Sequence, residues 1–306
     1  MLKVVPGLCH PLHGVAATRL IEQHALSDLP AHTLMRRAGL AVAQLALAVA
    51  PHAHRIWLAC GPGNNGGDGL EAALHLHRWG KQVCVTWLGQ TQSAPADALA
   101  AYQRVLAAGI PIGSDPEGNA DLCIDALLGI GAQSREAQGR MAQWISRINT
   151  SGTPVLAIDI PSGLHADTGS VMQLHVKATH TLSLLTLKPG LFTNQGRDAA
   201  GTVWLDSLGV AASTCTDFHP TAMLLPRPAL LTRPHGSHKG SYGDVAVIGG
   251  APGMTGAAVL AATAALRSGS GRVFIHLLAS GTLDVDVMHP ELMFRSASAL
   301  DYSSMV

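Results

Sequence analysis

Three short apolar runs in this 306-residue chain each end in residues able to hold a charged ligand or move a proton. Ile56 to Cys60 breaks into Gly61-Pro62-Gly63-Asn64-Asn65-Gly66-Gly67-Asp68-Gly69. Leu122-Cys123-Ile124 ends at Asp125, and Val155 to Ile158 ends at Asp159, followed by Ile160-Pro161-Ser162-Gly163. The glycines and asparagines of the first loop tolerate positive φ. Its backbone N–H groups are therefore predicted to turn inward as an anion-binding nest at the positive end of a helix over 68–79, which suits a phosphorylated ligand. Asp125 taken alone reads equally well as a helix cap, but two carboxylate-ended strands beside a glycine loop point to one site. In open α/β sheets ligands sit outside the carboxyl ends of strands, so the three loops are expected to face one crevice. Lys188, in Lys188-Pro189-Gly190, closes a later strand and is expected to bring a cation to the same rim.

Gly61, Gly63 and Gly66 also match the G-x-G-x-x-G spacing of dinucleotide-binding turns. An ordinary NAD dehydrogenase needs an acid at the end of the next strand to hold a ribose, yet Val83 to Trp87 runs into Leu88-Gly89-Gln90. A glycine turn with no ligand is the plainer alternative, and the two carboxylate loops weigh against it.

These loops need a scaffold. Helices are predicted over 14–27 and 31–50, then strand 55–60, helix 68–79, strand 82–88, helix 95–108, strand 122–125, a helix around 136–149, and strands 155–159, 179–185 and 201–206. Such alternation means an α/β fold, a parallel sheet with helices on both faces. Within 31–50, Leu34, Met35, Ala38, Val42 and Leu45 form a core stripe, and Ala38-Gly39 permits close approach of another element. Pro220 to Pro234 holds four prolines and reads as a linker. Beyond it, Val245 to Gly250, Gly256 to Ser268 and Gly271 to Ile275 supply one strand-helix-strand unit, too little for a second α/β core. The expected division is 1–219, a linker 220–236, and 237–306.

Lys+Arg and Asp+Glu stand at 20 each, so there is no basic footprint for nucleic acid or for an anionic membrane, and a small-molecule partner is expected. Cys9, Cys60, Cys84, Cys123 and Cys215 are scattered without a CxxC pair and read as reduced. The sixteen histidines form no HExxH motif or Cys/His quartet. Met1 to Pro11 has no secretory pattern, and apolar Ala38 to Ala50 is too short to span a membrane, so a cytoplasmic protein is expected.

Taken together, these motifs resemble the bifunctional NAD(P)H-hydrate repair enzymes, whose N-terminal half is an NAD(P)HX epimerase of the YjeF N-terminal type and whose C-terminal half is an ADP-dependent NAD(P)HX dehydratase. The resemblance rests on Leu34-Met35-Arg36-Arg37-Ala38-Gly39, Gly61 to Gly69, Asp125 to Gly131, Asp159 to Gly163 with Asp167-Thr168-Gly169, and Lys188-Pro189-Gly190. Arg36 departs from it, standing where many relatives carry an acid. His238-Lys239-Gly240, Gly249-Gly250, Met254 to Ala258, Ala265 to Gly269 and Pro290 to Met293 resemble the opening of the dehydratase domain. The implied fold is a three-layer Rossmann-like sheet with helices on both faces, followed by an incomplete ribokinase-like α/β segment. The dehydratase half is then expected to be inactive, ADP or ATP serving only a complete domain.

Residue by residue, the resemblance implies that Asn64, Asn65, Gly66, Gly67 and Asp68, with Gly129, Ile130, Gly131, Ala132, Gln133, Ser134 and Arg135, hold the substrate NADHX or NADPHX. Asp159 contacts it as well, and Ala257 is the substrate residue of the second segment. One K⁺ per epimerase site is implied, on Asn65, Asp125 and Ser162; amide, carboxylate and hydroxyl oxygens suit a hard cation. Epimerisation requires C6 of the hydrated ring to lose hydroxide and regain it from the opposite face. Asp159 is expected to serve as acid and base in turn, with Lys188 as electrostatic partner. The competing reading is a non-catalytic nucleotide-binding or scaffold module; the presence of Asn65, Asp68, Asp125, Asp159 and Ser162 favours the enzyme. A homo-oligomer is left open.

Overall fold

Alternating apolar runs and amphipathic stripes assemble one large sheet and one small one. The computed structural model describes residues 1–5, 7–132, 137–210, 219–226, 232–280 and 285–296, in two units, Met1–Pro228 and Ala229–Val306.

In the first unit the elements are β1 (Leu2–Lys3), β2 (His10–Leu12), α1 (Val15–Asp28), α2 (Thr33–Val49), β3 (Arg55–Cys60), α3 (Asn64–Arg78), β4 (Gln82–Trp87), α4 (Ala96–Ala107), β5 (Ile112–Gly113), β6 (Leu122–Ala126), α5 (Gly139–Thr150), β7 (Val155–Ile158), β8 (His180–Leu184), α6 (Gly196–Ala199), β9 (Thr202–Asp206) and β10 (Ala222–Leu224). The sheet runs β1-β9-β8-β7-β6-β3-β4-β5. Its strands are parallel except at the β1 edge, where Leu2 faces Leu205 antiparallel. From β3 the chain steps outward to β4 and β5, then crosses back to β6 on the other flank. The crevice of an open α/β sheet forms at such a reversal.

Burial on both faces follows from the two-residue period of a strand. Ile56, Leu58 and Cys60 of β3 point into a core with Val42, Leu45, Leu70, Ala73 and Val105 of α2, α3 and α4. Trp57 and Ala59 point the other way, onto Trp144, Ile145 and Ile148 of α5. Fully enclosed side chains such as Leu58 and Ile124 each contribute about 1.5–3 kcal/mol by leaving water. Gly39 of α2 sits so close to α3 that a Cβ there would overlap Glu71, which is the close approach that the Ala38-Gly39 pair predicts. Arg104 Nε of α4 donates to Glu71 Oε1 at 2.7 Å and ties the layer together.

Four of these strands, β1, β2, β5 and β10, have two or three residues and left no periodic signal in the sequence. Within the proline-rich stretch, Ala222 to Leu224 pair antiparallel with Leu12 to His10 rather than running free. The second unit holds β11 (Asp244–Gly249), α7 (Thr255–Arg267), β12 (Arg272–Leu277) and β13 (Met293–Ser296) in a parallel sheet ordered β11-β12-β13. Ala258 and Ala262 of α7 pack with Val273, Ile275 and Leu292. Among the described residues no helix is long and apolar enough to cross a membrane.

Candidate active site

The first loop differs from the expected nest. Helix α3 begins at Asn64, so Asn64 to Gly69 form its first turns, and none of Gly61, Gly63, Gly66, Gly67 or Gly69 has positive φ. These glycines serve close packing instead. A Cβ on Gly61 would overlap the Leu127 carbonyl, one on Gly66 would overlap the Gly61 carbonyl, and one on Gly69 would sit 2.6 Å from Ala126 Cβ. Glycine thus lets the start of α3 press against the loops after β3 and β6. The N–H groups of a helix's first turn have no partner within the helix, and its positive dipole end lies there, so the start of α3 is suited to an anion.

Asp125, next to last in β6, is a buried carboxylate and caps no helix among the described residues. Its Oδ1 accepts from Ser162 Oγ at 2.6 Å and from Leu127 N–H at 3.2 Å, and its Oδ2 accepts from Ser162 N–H at 2.8 Å. Ser162 Oγ in turn accepts from Leu128 N–H at 2.9 Å. The loops after β6 and β7 are therefore stitched together. Loss of solvent pushes the Asp125 carboxyl up to about 6, against the three hydrogen bonds that favour its charge.

Asp159 follows β7 with φ 68°, a left-handed conformation costly to a residue with a Cβ. Its backbone N–H donates to Leu182 O at 2.7 Å, and Ile130 N–H donates to its Oδ2 at 3.3 Å. Lys188 forms an ion pair with Oδ1 and donates to Leu184 O at 2.7 Å and Ser183 Oγ at 3.3 Å. Lys188 does not stand on the rim as the sequence suggested: it is 0% exposed, its ammonium enclosed by Asp159, Ser183 and Leu184.

Asn65 approaches the loop after β6, where a Cβ on Gly129 would lie 3.3 Å from its Oδ1; its Nδ2 is buried without a hydrogen-bond partner. Asp68, half-buried one turn further along α3, has its carboxyl held well above the ordinary carboxylate range. Desolvation is the main cause, followed by the charges of Asp159, Glu22, Glu71 and Asp97. Asn64, Asn65, Gly66, Gly67, Asp68, Asp125, Gly129, Ile130, Gly131, Asp159 and Ser162 thus lie on α3 and the loops after β6 and β7 of one sheet end. Gln133, Ser134 and Arg135 fall outside the described residues, and Ala257 is exposed on α7 of the second unit.

Two residues of α1 join the site without any motif to announce them. Glu22 is half-buried, and its carboxyl is raised first by burial and then by the charge of Asp159, while Lys188 and Arg19 oppose. Arg19 Nη2 lies 3.9 Å from where a Cβ on Gly131 would stand. Nothing local in the sequence flags either of them.

The profile of the family described as YjeF-related protein N-terminus matches residues 31–190. The chain is 37% identical over 282 residues to the bifunctional NAD(P)H-hydrate repair enzyme Nnr of Coxiella burnetii, a match covering 90% of this chain and 58% of that protein. To the Nnr of Vibrio cholerae it is 41% identical over 260 residues, covering 82% of this chain and 52% of the relative. The chain spans about half the length of these curated relatives. It is also 41% identical over 192 residues to the NAD(P)H-hydrate epimerase of Limosilactobacillus fermentum, covering 61% of this chain and 92% of that protein. The crystal structure of the yeast protein ynu0 shares the fold, with a TM-score of 0.59 at 19% identity, over 69% of this chain and 95% of that one. With more than half the chain inside the family profile and a 41% identical relative matched along 92% of its length, the chain belongs to the YjeF-related N-terminal family.

Proposed function

We propose that the first unit interconverts the R and S forms of hydrated NADH and NADPH. The observation that carries this reading is the buried Asp159–Lys188 pair beyond the carboxyl ends of β7 and β8, with Asp159 also accepting from Ile130 N–H of the loop after β6. The relative named an epimerase, matched along nearly its whole length, supports it.

In this reading the N–H groups opening α3 and the backbone of Gly129 to Gly131 receive the nucleotide, with Asn64, Asn65 and Asp68 beside it. At C6 a proton passes to the departing hydroxyl. The C–O bond breaks, water leaves with its electron pair, and the lone pair of the ring nitrogen makes the C6–N double bond. Water then adds from the opposite face and gives up a proton as the pair returns to nitrogen. Asp159 is the first carboxyl assigned to this proton traffic. Lys188 and Ile130 N–H fix one oxygen each, so the carboxylate keeps its aim. Holding the left-handed backbone of Asp159 costs about 1–3 kcal/mol, and these contacts offset that strain.

The donor set fits a monovalent cation. Among the described residues Asp125 is a buried carboxylate whose hydrogen-bond donors are the Ser162 hydroxyl and the N–H groups of Leu127 and Ser162, none of them cationic, and the Asn65 amide oxygen stands beside Gly129. Asn65, Asp125 and Ser162 would hold K⁺, whose charge would offset both that carboxylate and the substrate phosphates. The proposal is confined to epimerisation and extends to a cytoplasmic setting with reduced cysteines. It assigns no ADP- or ATP-dependent dehydration to the second unit.

The experiment is chromatography of an R/S NADHX mixture with an S-specific dehydratase drawing the equilibrium. Added protein is expected to drain the R form. Persistence of R at its spontaneous rate, with nucleotide still bound, would instead support the scaffold reading.

A further inference from the structure

Epimerisation at one carbon makes a demand that a single fixed carboxyl does not meet. The hydroxyl leaves one face of C6 and water arrives at the other, so the ring separates the proton given from the proton taken. Asp159 is fixed: its backbone is left-handed, one oxygen is on Lys188, and the other accepts from Ile130 N–H. It reaches one face.

Helix α1 brings a second carboxyl. Its first turn is anchored by Gly14 N–H on Thr221 Oγ1 at 3.0 Å and Val15 N–H on Asp167 Oδ1 at 2.9 Å. One turn on, the buried Thr18 hydroxyl meets Thr186 Oγ1 at 2.7 Å, two residues before Lys188. Glu22 follows after one further turn and is half-buried. Glu22 is in helical register with Val15, Thr18 and Ala25, the buried side of α1. The charges that act on its carboxyl are those of Asp159 and Lys188 from the sheet end, Arg19 from its own helix, Asp97 from the first turn of α4, and Asp68 from α3. Burial and the neighbouring Asp159 charge both favour its protonated form.

We propose that Glu22 is the second proton-transferring group of the epimerase site, acting on the face of the ring opposite Asp159. The proposal rests on the epimerase reading. In one direction the Glu22 carboxyl protonates the departing hydroxyl, so the C6–O bond breaks and water leaves. Asp159 then takes a proton from the incoming water as the new C6–O bond forms. The enzyme is left with Asp159 protonated and Glu22 ionised, ready for the opposite epimer with the roles exchanged.

The test is steady-state epimerisation by E22Q and E22D, with D68N alongside and thermal melts to establish folding. Glu22→Gln is expected to lower kcat about 10²-fold or more with KM for NADHX unchanged, Glu22→Asp to recover part of it, and the Gln variant to lose one limb of the pH–rate profile. A folded E22Q at the wild-type kcat overturns the role. So does a kcat-only loss in D68N with none in E22Q, which moves the second group to Asp68. An inactive wild-type chain overturns the epimerase reading along with it.

Discussion

Lys188, without exposed surface, is ion-paired to Asp159, whose backbone is left-handed directly after β7. Each explains the other: the turn at Asp159 aims its carboxylate inward, and the buried ammonium neutralises it there.

Removing the ammonium leaves a buried, unpaired carboxylate. Lys188→Met is therefore expected to destabilise the first unit by about 3–5 kcal/mol, measured as a lowered urea midpoint at unchanged m-value. A midpoint equal to wild type would mean that Asp159 finds another partner or stays solvated.

Gly61 and Gly63 separate close packing from backbone freedom. A Cβ at Gly61 would meet backbone, which cannot move aside, whereas nothing lies within 4 Å of the Cβ position at Gly63. Gly61→Ala is expected to cost about 1–3 kcal/mol, while Gly63→Ser, at the N-cap of α3, should be neutral or stabilising. Equal losses from both in chemical denaturation would contradict the packing account.

How far the sequence revealed this site is clearest at α3. The strand, the loop and the following helix were legible, because apolar period and glycine punctuation are local signals. The helix start was not: glycine reads as loop by propensity, and only tertiary contact with Leu127, Gly61 and Ala126 accounts for its place inside a helix. Asp125, Asp159 and Ser162 stood out because they stand at the end of an apolar run or in the short polar stretch directly after it. Glu22 and Arg19 did not, since nothing local marks which face of an amphipathic helix looks onto a crevice built some hundred residues later. The burial of Lys188 depends likewise on a distant partner, Asp159.

The Asp125 carboxyl supplies a pH test. Its folded value of about 6 lies above the ordinary value near 4, so the folded state binds the proton more tightly. Without a cation, stability is then highest below the unfolded value and is lost as pH rises through about 6, by on the order of 3 kcal/mol. K⁺ competes with that proton. Its gain in melting temperature should be larger well above pH 6 than well below it, and absent in Asp125→Asn. A gain independent of pH, or retained in the variant, would remove Asp125 from the proposed cation site.

The most direct measurement is the rate of R-to-S interconversion of NADHX by Asp159→Asn against wild type, at saturating substrate. The amide keeps the shape of the side chain and cannot take a proton. The account predicts a kcat lowered by about 10²–10⁴-fold with nucleotide still bound. Interconversion at the wild-type rate by a folded, substrate-bound Asp159→Asn protein would contradict it.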